Sequence, residues 1–476
     1  MKKKGFGEIN KNYILIIFSF LFFSGCTTFQ STDPYQKTFV EKEPIQSRQK
    51  EFNSEVSLPD TLDLDTAIKI ALVKNPDILA SYYDLETAKA RYESAVSSSL
   101  PNIHLSTSYS YYPDSQRLIP ARKNGEPGVF TNSILGSDII LSLPLFTAGQ
   151  ITNNIKSAEL LEKSAEKRII RTKEELVFNT SMVFFNILAQ EKVVESVEFS
   201  YKTMQEHLER TKELINLQKA APVDKLWIEV RLAELNQRIV QEKNLLLILK
   251  RTFINLLGVE KDPDIVQLQG TLEIPKNNEI FDEKNLFSYA LQKRPDYTAT
   301  KLNLEAQAKN VDAIRATRLP AISLLGNYGL RSAINPTEKP SGTEESEYEG
   351  RIGIFLEFPV FDSGRISSKI KEEKAKLASL QEHLRKMELQ IKLEVENAIL
   401  NITSAKERIS VAEKAIEQAK ETLRIEQLKY ELGKGTIIDV LDAQTALLEA
   451  QTSYYRALSS YYISIYQLKF ATGELL

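Results

Sequence analysis

Four segments of the chain alternate strictly between apolar and polar residues. In the first segment, 102–111, Ile103, Leu105 and Tyr109 share one face, while serines and one histidine occupy the other. This alternation predicts a β-strand with one apolar and one wet side. The other three segments lie near 138–146, 322–330 and 351–360. At about ten residues each, they match the length of a tilted strand that crosses a membrane.

These predicted strands cannot close a barrel within one chain. An open sheet in lipid would leave backbone N–H and C=O groups at its edges without partners, which is costly for every group. We therefore expect several chains to pool their strands, and three copies of four strands would make twelve, an even number as in known barrels. The alternative is that each pair of strands forms a small sheet that caps a soluble helical bundle.

Helical spacing dominates the rest of the chain. No proline interrupts 148–218 or 365–432, so each range predicts a rod of about 100 Å. In the second rod, apolar residues follow the spacing of a coiled-coil seam: Leu377, Leu380, Leu384, Met387, Ile391 and Val395. Shorter helices are predicted at 76–99 and 295–318, and return helices at 223–257 and 436–470.

The same order of elements occurs twice. Lys74-Asn75-Pro76-Asp77 recurs as Lys293-Arg294-Pro295-Asp296 at an offset of 219 residues, and LSLPLFTAGQ recurs as LEFPVFDSGR at an offset of 215. Two copies of one unit therefore make up most of the chain. We assign the first unit to 61–258, a connecting segment to 259–290, the second unit to 291–473 and a C-terminal tail to 474–476.

The N-terminus has the pattern of a secretory signal. Lysines near residue 1 precede an apolar run from Tyr13 to Phe23, and small residues then lead to Cys26, the single cysteine of the chain. This pattern resembles a bacterial lipoprotein signal, which implies removal of residues 1–25 and a covalent lipid on Cys26. The alternatives are a membrane anchor, for which the apolar run is too short, and a free cysteine near a processed end. The polar stretch 26–60 is interpreted as a lipidated tether.

Composition excludes several classes of function. The chain has 61 basic and 64 acidic residues, so nothing in its charge predicts a nucleic-acid partner. The three histidines, His104, His207 and His383, have no metal-ligand companion at a usable spacing. The sequence has no glycine-rich phosphate loop, no catalytic triad and no pair of redox cysteines. We therefore expect no enzyme activity and no cofactor beyond the lipid on Cys26.

Three strings carry a family resemblance: LPLFTAGQ, FPVFDSGR and YELGKGTIIDVLDAQTALLEAQ. Together with the duplication and the N-terminus, they resemble the TolC/OprM family of outer-membrane factors over residues 60–476. The resemblance implies a mainly α fold with a membrane β-barrel, built as a homotrimer with twelve pooled strands in the outer membrane and a helical barrel in the periplasm. It also implies an exit duct for a tripartite efflux pump or type I secretion system, docked on a periplasmic adaptor and fed by an inner-membrane transporter.

The resemblance assigns a role to the turns that join the paired helices, 217–224 and 433–439. They would form the periplasmic tip, where the tube narrows to a gate. Asp439 and Asp442 lie one helical turn apart, so the resemblance implies two rings of carboxylates in the bore of a trimer. The alternative for Asp439 is that an acidic residue in the first turn of a helix is favoured by the helix dipole.

Further residues of these turns resemble the residues whose contact holds the closed state in this family. Tyr430 matches a tyrosine, Asp224 matches the acid that it bonds, and Gly433 and Gly435 are the glycines of the hairpin turn. Gly435 stands where the better-known member of the family has an arginine, and the neighbouring Lys434 is a candidate replacement. Ordinary packing at a helix end is the alternative for Tyr430.

A passive structural role is the alternative function. A coiled-coil envelope spacer or adhesin without channel activity would also need long rods. Only a duct needs amphipathic strands that pool into a barrel. Channel conductance therefore separates the two functions.

Overall fold

The computed structural model describes residues 61–260, 262, 267–273 and 282–476. The predicted signal at 1–25, the predicted lipidation site Cys26 and the predicted tether at 26–60 lie outside the described residues. Of the helices in the described ranges, none combines the length and the apolar character needed to span a lipid bilayer.

Two units with the same order of elements make up the described chain. The first contains β1 (Thr61–Leu62), α1 (Leu64–Lys74), α2 (Pro76–Ser97), β2 (Asn102–Arg117), β3 (Phe130–Phe146), α3 (Gln150–Asn216) and α4 (Pro222–Leu257). The second contains β4 (Gln267–Leu268), α5 (Glu283–Lys293), α6 (Pro295–Ala316), β5 (Ala321–Ile334), β6 (Ser346–Glu357), α7 (Arg365–Glu431) and α8 (Ile437–Thr472). The predicted fold class, mainly α with four long strands per chain, is confirmed.

Two pairs of short elements were not predicted from the sequence. Helices α1 and α5 have 11 residues each, about three turns, and so few turns give a weak periodic signal. The two-residue strands β1 and β4 pair in parallel and link the starts of the two units. Strand β4 and most of α5 lie within the segment that the sequence analysis assigned to a connection, 259–290.

Strands β2, β3, β5 and β6 form one antiparallel sheet in that order. They span 16, 17, 14 and 12 residues, so the expected length of about ten was wrong. The additional residues lie at the ends remote from the long helices, where backbone pairing continues past the apolar stripe. Alternation of side chains cannot detect that part of a strand.

The apolar stripes predicted on the strands lie on one face of this sheet. Leu105 pairs with Ile139, and Ile139 pairs with Tyr328, so the stripes are in register across three strands. These side chains are 55–68% exposed in the chain. Strands β2 and β6 each pair with only one other strand within the described chain, which leaves two open edges.

Helices α3 and α7 are the longest elements. Each has 67 residues and therefore extends for about 100 Å. Each starts directly after a glycine in the left-handed region, Gly149 with φ 88° and Gly364 with φ 84°. Along α3, helices α2 and α6 cover the part near the strands and α4 and α8 cover the remainder. The seam residues Ile391 and Val395 are buried against Tyr461 of α8.

The return helices end against the residues that precede α2 and α6. Asn75 Nδ2 donates to Leu256 O at 2.9 Å, and Arg294 Nη1 donates to Ala471 O at 3.3 Å. Glycine follows each return helix with positive φ, and a Cβ at Gly258 would lie 2.3 Å from the carbonyl oxygen of Lys74. The two units therefore make the same junction with different side chains.

A buried ion cluster surrounds the second junction. Arg294 is 3% exposed and binds both Asp296, at 2.7 Å, and Glu394. Arg171 of α3 donates to Glu174 at 3.0 Å and lies 3.5 Å from Asp296. Burial raises the pKa of Glu174. Burial also opposes the charge of Asp296, but the hydrogen bonds from Arg294 keep its pKa below the ordinary value.

Candidate functional site

The predicted gate residues lie around two tight turns at the end of the long helices remote from the strands. The α3–α4 turn reverses at Gln218, with φ 53°, and the α7–α8 turn reverses at Gly433, with φ 69°. A backbone hydrogen bond of 2.8 Å closes each turn at the matching position. The duplication therefore extends to the geometry of the turns, even though the first uses a glutamine in the conformation that favours glycine.

Tyr430 and Asp224 connect the two turns. The hydroxyl of Tyr430, at the end of α7, donates a hydrogen bond of 3.1 Å to the carboxylate of Asp224, in the first turn of α4. Tyr430 is half-buried, and burial raises the pKa of its hydroxyl. The hydroxyl therefore keeps its proton at neutral pH and remains a donor. The structure thus brings together two residues that are 206 positions apart.

Asp439 completes a capping box at the start of α8. Its carboxylate accepts from the backbone N–H of Thr436 at 3.0 Å and from the Thr436 hydroxyl at 2.7 Å. The backbone N–H of Asp439 donates back to Thr436 Oγ1 at 3.3 Å. These bonds from Thr436 lower the pKa of Asp439. The sequence signal was a threonine three residues before an acid, a spacing that predicts a cap.

Asp442 lies one turn further along α8, and its side chain is 72% exposed. It is 3.9 Å from the guanidinium of Arg231 on α4, which also binds Glu234 at 2.7 Å. An exposed pair of this kind contributes at most about 1 kcal/mol. The sequence analysis missed Arg231, although it follows Asp224 by seven residues and so lies two turns further along the same face of α4.

Gly435 and Lys434 form the second turn with Gly433. A Cβ at Gly435 would lie 3.0 Å from Cβ of Lys429, so a side chain at this position requires the neighbouring helix end to shift. Lys434 is exposed, and within the described ranges its amine has no ion-pair partner. The structure therefore does not bring Lys434 to Asp224, and Tyr430 makes that contact without it.

Further contacts join α3 to α7 just above the turns. His207 Nε2 lies 3.0 Å from Gln427 Nε2, and Arg210 pairs with Glu431 at 3.2 Å. These side chains line a cleft of about 370 Å³ between the two helices. Burial, with a smaller effect from Arg210, lowers the pKa of His207. The sequence suggested only metal binding as a test of His207, and its packing role between α3 and α7 was not predicted.

The arrangement suits contacts that form and break. A buried apolar cluster packs the two hairpins together. Near the turns, the polar contacts between them are single hydrogen bonds and exposed ion pairs, each contributing about 1 kcal/mol. Within the part of the chain that the structure describes, no three His, Cys, Asp or Glu side chains are grouped to hold a metal ion.

A protein-family model described as outer membrane efflux protein matches residues 67–259 and 286–474. The outer membrane protein TolC of Escherichia coli (strain K12) is 21% identical over 430 residues, which cover 88% of this chain and 84% of TolC. The two stretches matched by the family model correspond to the two units of the fold.

Solved structures share this fold. VceC of Vibrio cholerae matches with a TM-score of 0.70 at 18% identity, covering 86% of this chain and 96% of VceC. The CmeC outer membrane channel of Campylobacter jejuni matches with a TM-score of 0.73 at 18% identity, covering 86% of this chain and 85% of CmeC.

Proposed function

The chain belongs to the outer membrane efflux protein family, and on that premise we propose that it is the exit duct of a tripartite efflux pump or a type I secretion system. In this proposal three copies form a passive channel that is gated at its periplasmic tip. The family is one of transport proteins of the outer membrane and not of enzymes. Energy for transport therefore has to come from a partner.

The observation that carries this proposal is the sheet. One face is apolar and exposed, and both edges are open. The apolar face is costly in water, and the unpaired backbone groups at the edges are costly in lipid, so an isolated chain suits neither environment. Closure of three such sheets into one barrel would remove the edges and turn the apolar face towards lipid. The helices that follow would then continue the tube for about 100 Å.

The contacts at the turns support gating at the tip. The bond between Tyr430 and Asp224 ties the second hairpin to the first, and separation of the hairpins would widen the tube there. Exposed Asp439 and Asp442 would repeat three times around the bore and favour cations. The cap on Asp439 is compatible with this role, because a capping carboxylate keeps its negative charge.

The remaining parts of the proposal concern attachment and partners. A lipid on Cys26 would hold the N-terminus at the outer membrane, as the lipoprotein-like signal implies. A periplasmic adaptor would bind the tip, and an inner-membrane transporter would supply the substrate and the energy.

Purified protein reconstituted into planar bilayers tests the function. We expect a trimer that migrates as one species before heating and as a monomer after heating, and that gives single-channel currents. A coiled-coil spacer or adhesin would form rods without any conductance. Intact trimers that give no current under any applied voltage would therefore contradict the duct.

A further inference from the structure

Four basic side chains line a cleft between the end of α6 and the start of α7, directly beside the sheet. The cleft has a volume of about 430 Å³, and Ser367 and Ile370 complete its lining. We call it the basic cleft and define it by Arg315, Arg318, Lys371 and Lys374.

A second cleft shows which face of α7 continues the polar face of the sheet, and so locates the basic cleft relative to the two faces. Ala321 pairs with Glu357 at the end of the β5–β6 ladder, and both belong to the polar face of the sheet, since their neighbours in each strand belong to the apolar face. Arg365, Lys369 and Glu372 line this second cleft together with Ala321 and Glu357. This face of α7 therefore continues the polar face of the sheet.

The basic cleft lies on the other side. At 3.6 residues per turn, Ser367, Lys371 and Lys374 are roughly 180° around α7 from residues 365, 369 and 372. The basic cleft therefore continues the apolar face of the sheet, which is the side that faces lipid in the proposed barrel. Lys371 and Lys374 lie about 9 and 14 Å along the helix from its start.

Exposed apolar side chains mark the boundary between this cleft and the sheet. Phe358, Val360 and Phe361 lie between β6 and α7 and are 50%, 85% and 87% exposed. Girdles of aromatic residues are typical of the two ends of the apolar band of a membrane barrel. Long basic side chains about two to three turns beyond that level can extend back towards the phosphates.

The basic cleft has a surplus of positive charge. Arg315 pairs with Asp312 at 3.1 Å, whereas the guanidinium of Arg318 donates to the neutral Ser367 hydroxyl at 2.7 Å. Across the described ranges, no carboxylate lies within ion-pair distance of Arg318, Lys371 or Lys374. Three unpaired cations so close together repel one another, and an anion would relieve that repulsion.

The duplication provides an internal comparison. At offsets of 219 and 215, the first unit has Val96, Ser99, Lys156 and Glu159 in the positions of the four basic residues. Glu159 also pairs with Lys163 at 2.6 Å. The first unit therefore forms the same backbone with one basic and one acidic residue at these positions, and the fold does not require the surplus positive charge of the second unit.

We propose that the basic cleft binds the phosphate headgroup of an anionic phospholipid in the periplasmic leaflet of the outer membrane. This inference rests on the proposed function, because it needs the strands to lie in that membrane with α7 on the periplasmic side. Arg318 supplies a planar donor to the phosphate, and Lys371 and Lys374 supply charge. Three sites per trimer would fix the depth of the barrel in the bilayer.

Native mass spectrometry of the purified trimer in uncharged detergent tests the proposal. Phosphatidylglycerol and phosphatidylcholine are titrated separately against the wild type and the Arg318→Gln/Lys371→Gln/Lys374→Gln variant. Arg408→Gln/Lys414→Gln/Lys420→Gln is the matched control, because it removes the same charges from exposed positions of the same helix. The Lys371→Gln/Lys374→Gln variant keeps the Arg318 hydrogen bond and serves if the triple variant does not assemble.

We expect the wild type and the control to retain phosphatidylglycerol in preference to phosphatidylcholine. Each basic residue near an anionic lipid changes binding by roughly fivefold, so the triple variant should lose more than tenfold in retention of phosphatidylglycerol. Equal retention by wild type and triple variant, or equal retention of the two lipids by the wild type, would overturn the proposal.

A competition arm distinguishes a lipid from a free anion. Excess inorganic phosphate should leave the phosphatidylglycerol adducts in place, because the acyl chains add apolar contact that phosphate lacks. Complete displacement by phosphate would identify a small-anion site and contradict lipid binding. Conductance of the same wild-type trimer is recorded in parallel. A conducting channel without lipid preference refutes this inference alone. Absence of conductance refutes the proposed function.

Discussion

Replacing Tyr430 by phenylalanine would remove one oxygen atom from the contact between the two hairpins. The hydroxyl of Tyr430 donates to Asp224 at 3.1 Å. Its ring packs against the apolar cluster of α3, α4 and α8 near the turns, so phenylalanine keeps the packing. The variant therefore tests the hydrogen bond and not the fold of the tip.

The expected effect follows from the number of chains in the proposed trimer. A hydrogen bond to a charged acceptor contributes roughly 1.5–3 kcal/mol when buried, and partial exposure of both groups reduces this to about 1 kcal/mol. Three equivalent bonds would stabilise the closed state by about 3 kcal/mol in total. The ratio of closed to open channels should therefore fall on the order of a hundredfold.

Single-channel recording in planar bilayers measures this ratio as an open probability. Tyr201→Phe is the matched control, because Tyr201 packs against the same apolar cluster and, within the described residues, its hydroxyl has no hydrogen-bond partner. We expect Tyr430→Phe to open more often and Tyr201→Phe to behave like the wild type. Asp224→Ala combined with Tyr430→Phe should add little to either change alone, because both remove one interaction.

Two results would refute this reasoning. An unchanged open probability in intact Tyr430→Phe trimers would mean that the bond does not hold the closed state. An equal increase in Tyr201→Phe would mean that loosened packing, and not the hydrogen bond, opens the channel.

Three further predictions concern the acids, the buried histidine and the ion cluster. The variant Asp439→Asn/Asp442→Asn keeps the capping acceptor but removes the charges, so conductance should rise and cation preference should fall. Reversal potentials measure the cation preference, and unchanged values would exclude both residues from the bore. Because burial lowers the pKa of His207 below 6.5, its neutral form contributes stability that is present above pH 6.5 and lost as the pH falls through the lowered value. Acidification should therefore loosen α3 from α7 and raise the open probability in the wild type and in the exposed His383→Gln control, but not in His207→Gln. Arg294→Met leaves two carboxylates without their main partner and should destabilise the protein by about 3 kcal/mol in denaturant unfolding, and a loss below about 1 kcal/mol would contradict a buried cluster.

The elements that the sequence predicted well are those with a local signal. Alternation located the four strands, and the absence of proline located α3 and α7 to within two residues at each end. The full length of the strands was not predictable in this way, because pairing beyond the apolar stripe depends on the partner strand. Helices α1 and α5 were missed because three turns do not establish a period.

The contacts of the candidate site show the same difference between local signals and long-range packing. The cap of Asp439 by Thr436 depends on residues three positions apart, and the sequence contains that signal. The contact of Asp442 with Arg231 depends on how α4 and α8 lie relative to each other, and spacing within one helix cannot supply this. The bond between Tyr430 and Asp224 was anticipated only through resemblance to a family, since no local rule joins residues 206 positions apart.

The polar contacts at the tip and at the mid-body junction differ in the cost of breaking them. At the tip, the polar contacts between the hairpins are single hydrogen bonds and exposed ion pairs that contribute about 1 kcal/mol each, in addition to the apolar cluster. At the mid-body junction, Arg294, Asp296 and Arg171 are charged and largely buried, and breaking one pair there costs about 3 kcal/mol or more. Because Arg171 belongs to the first unit and Arg294 to the second, this cluster fixes the two units to each other. In the proposed channel, opening at the tip would therefore bend the helices between the cluster and the turns and leave the sheet and the mid-body in place.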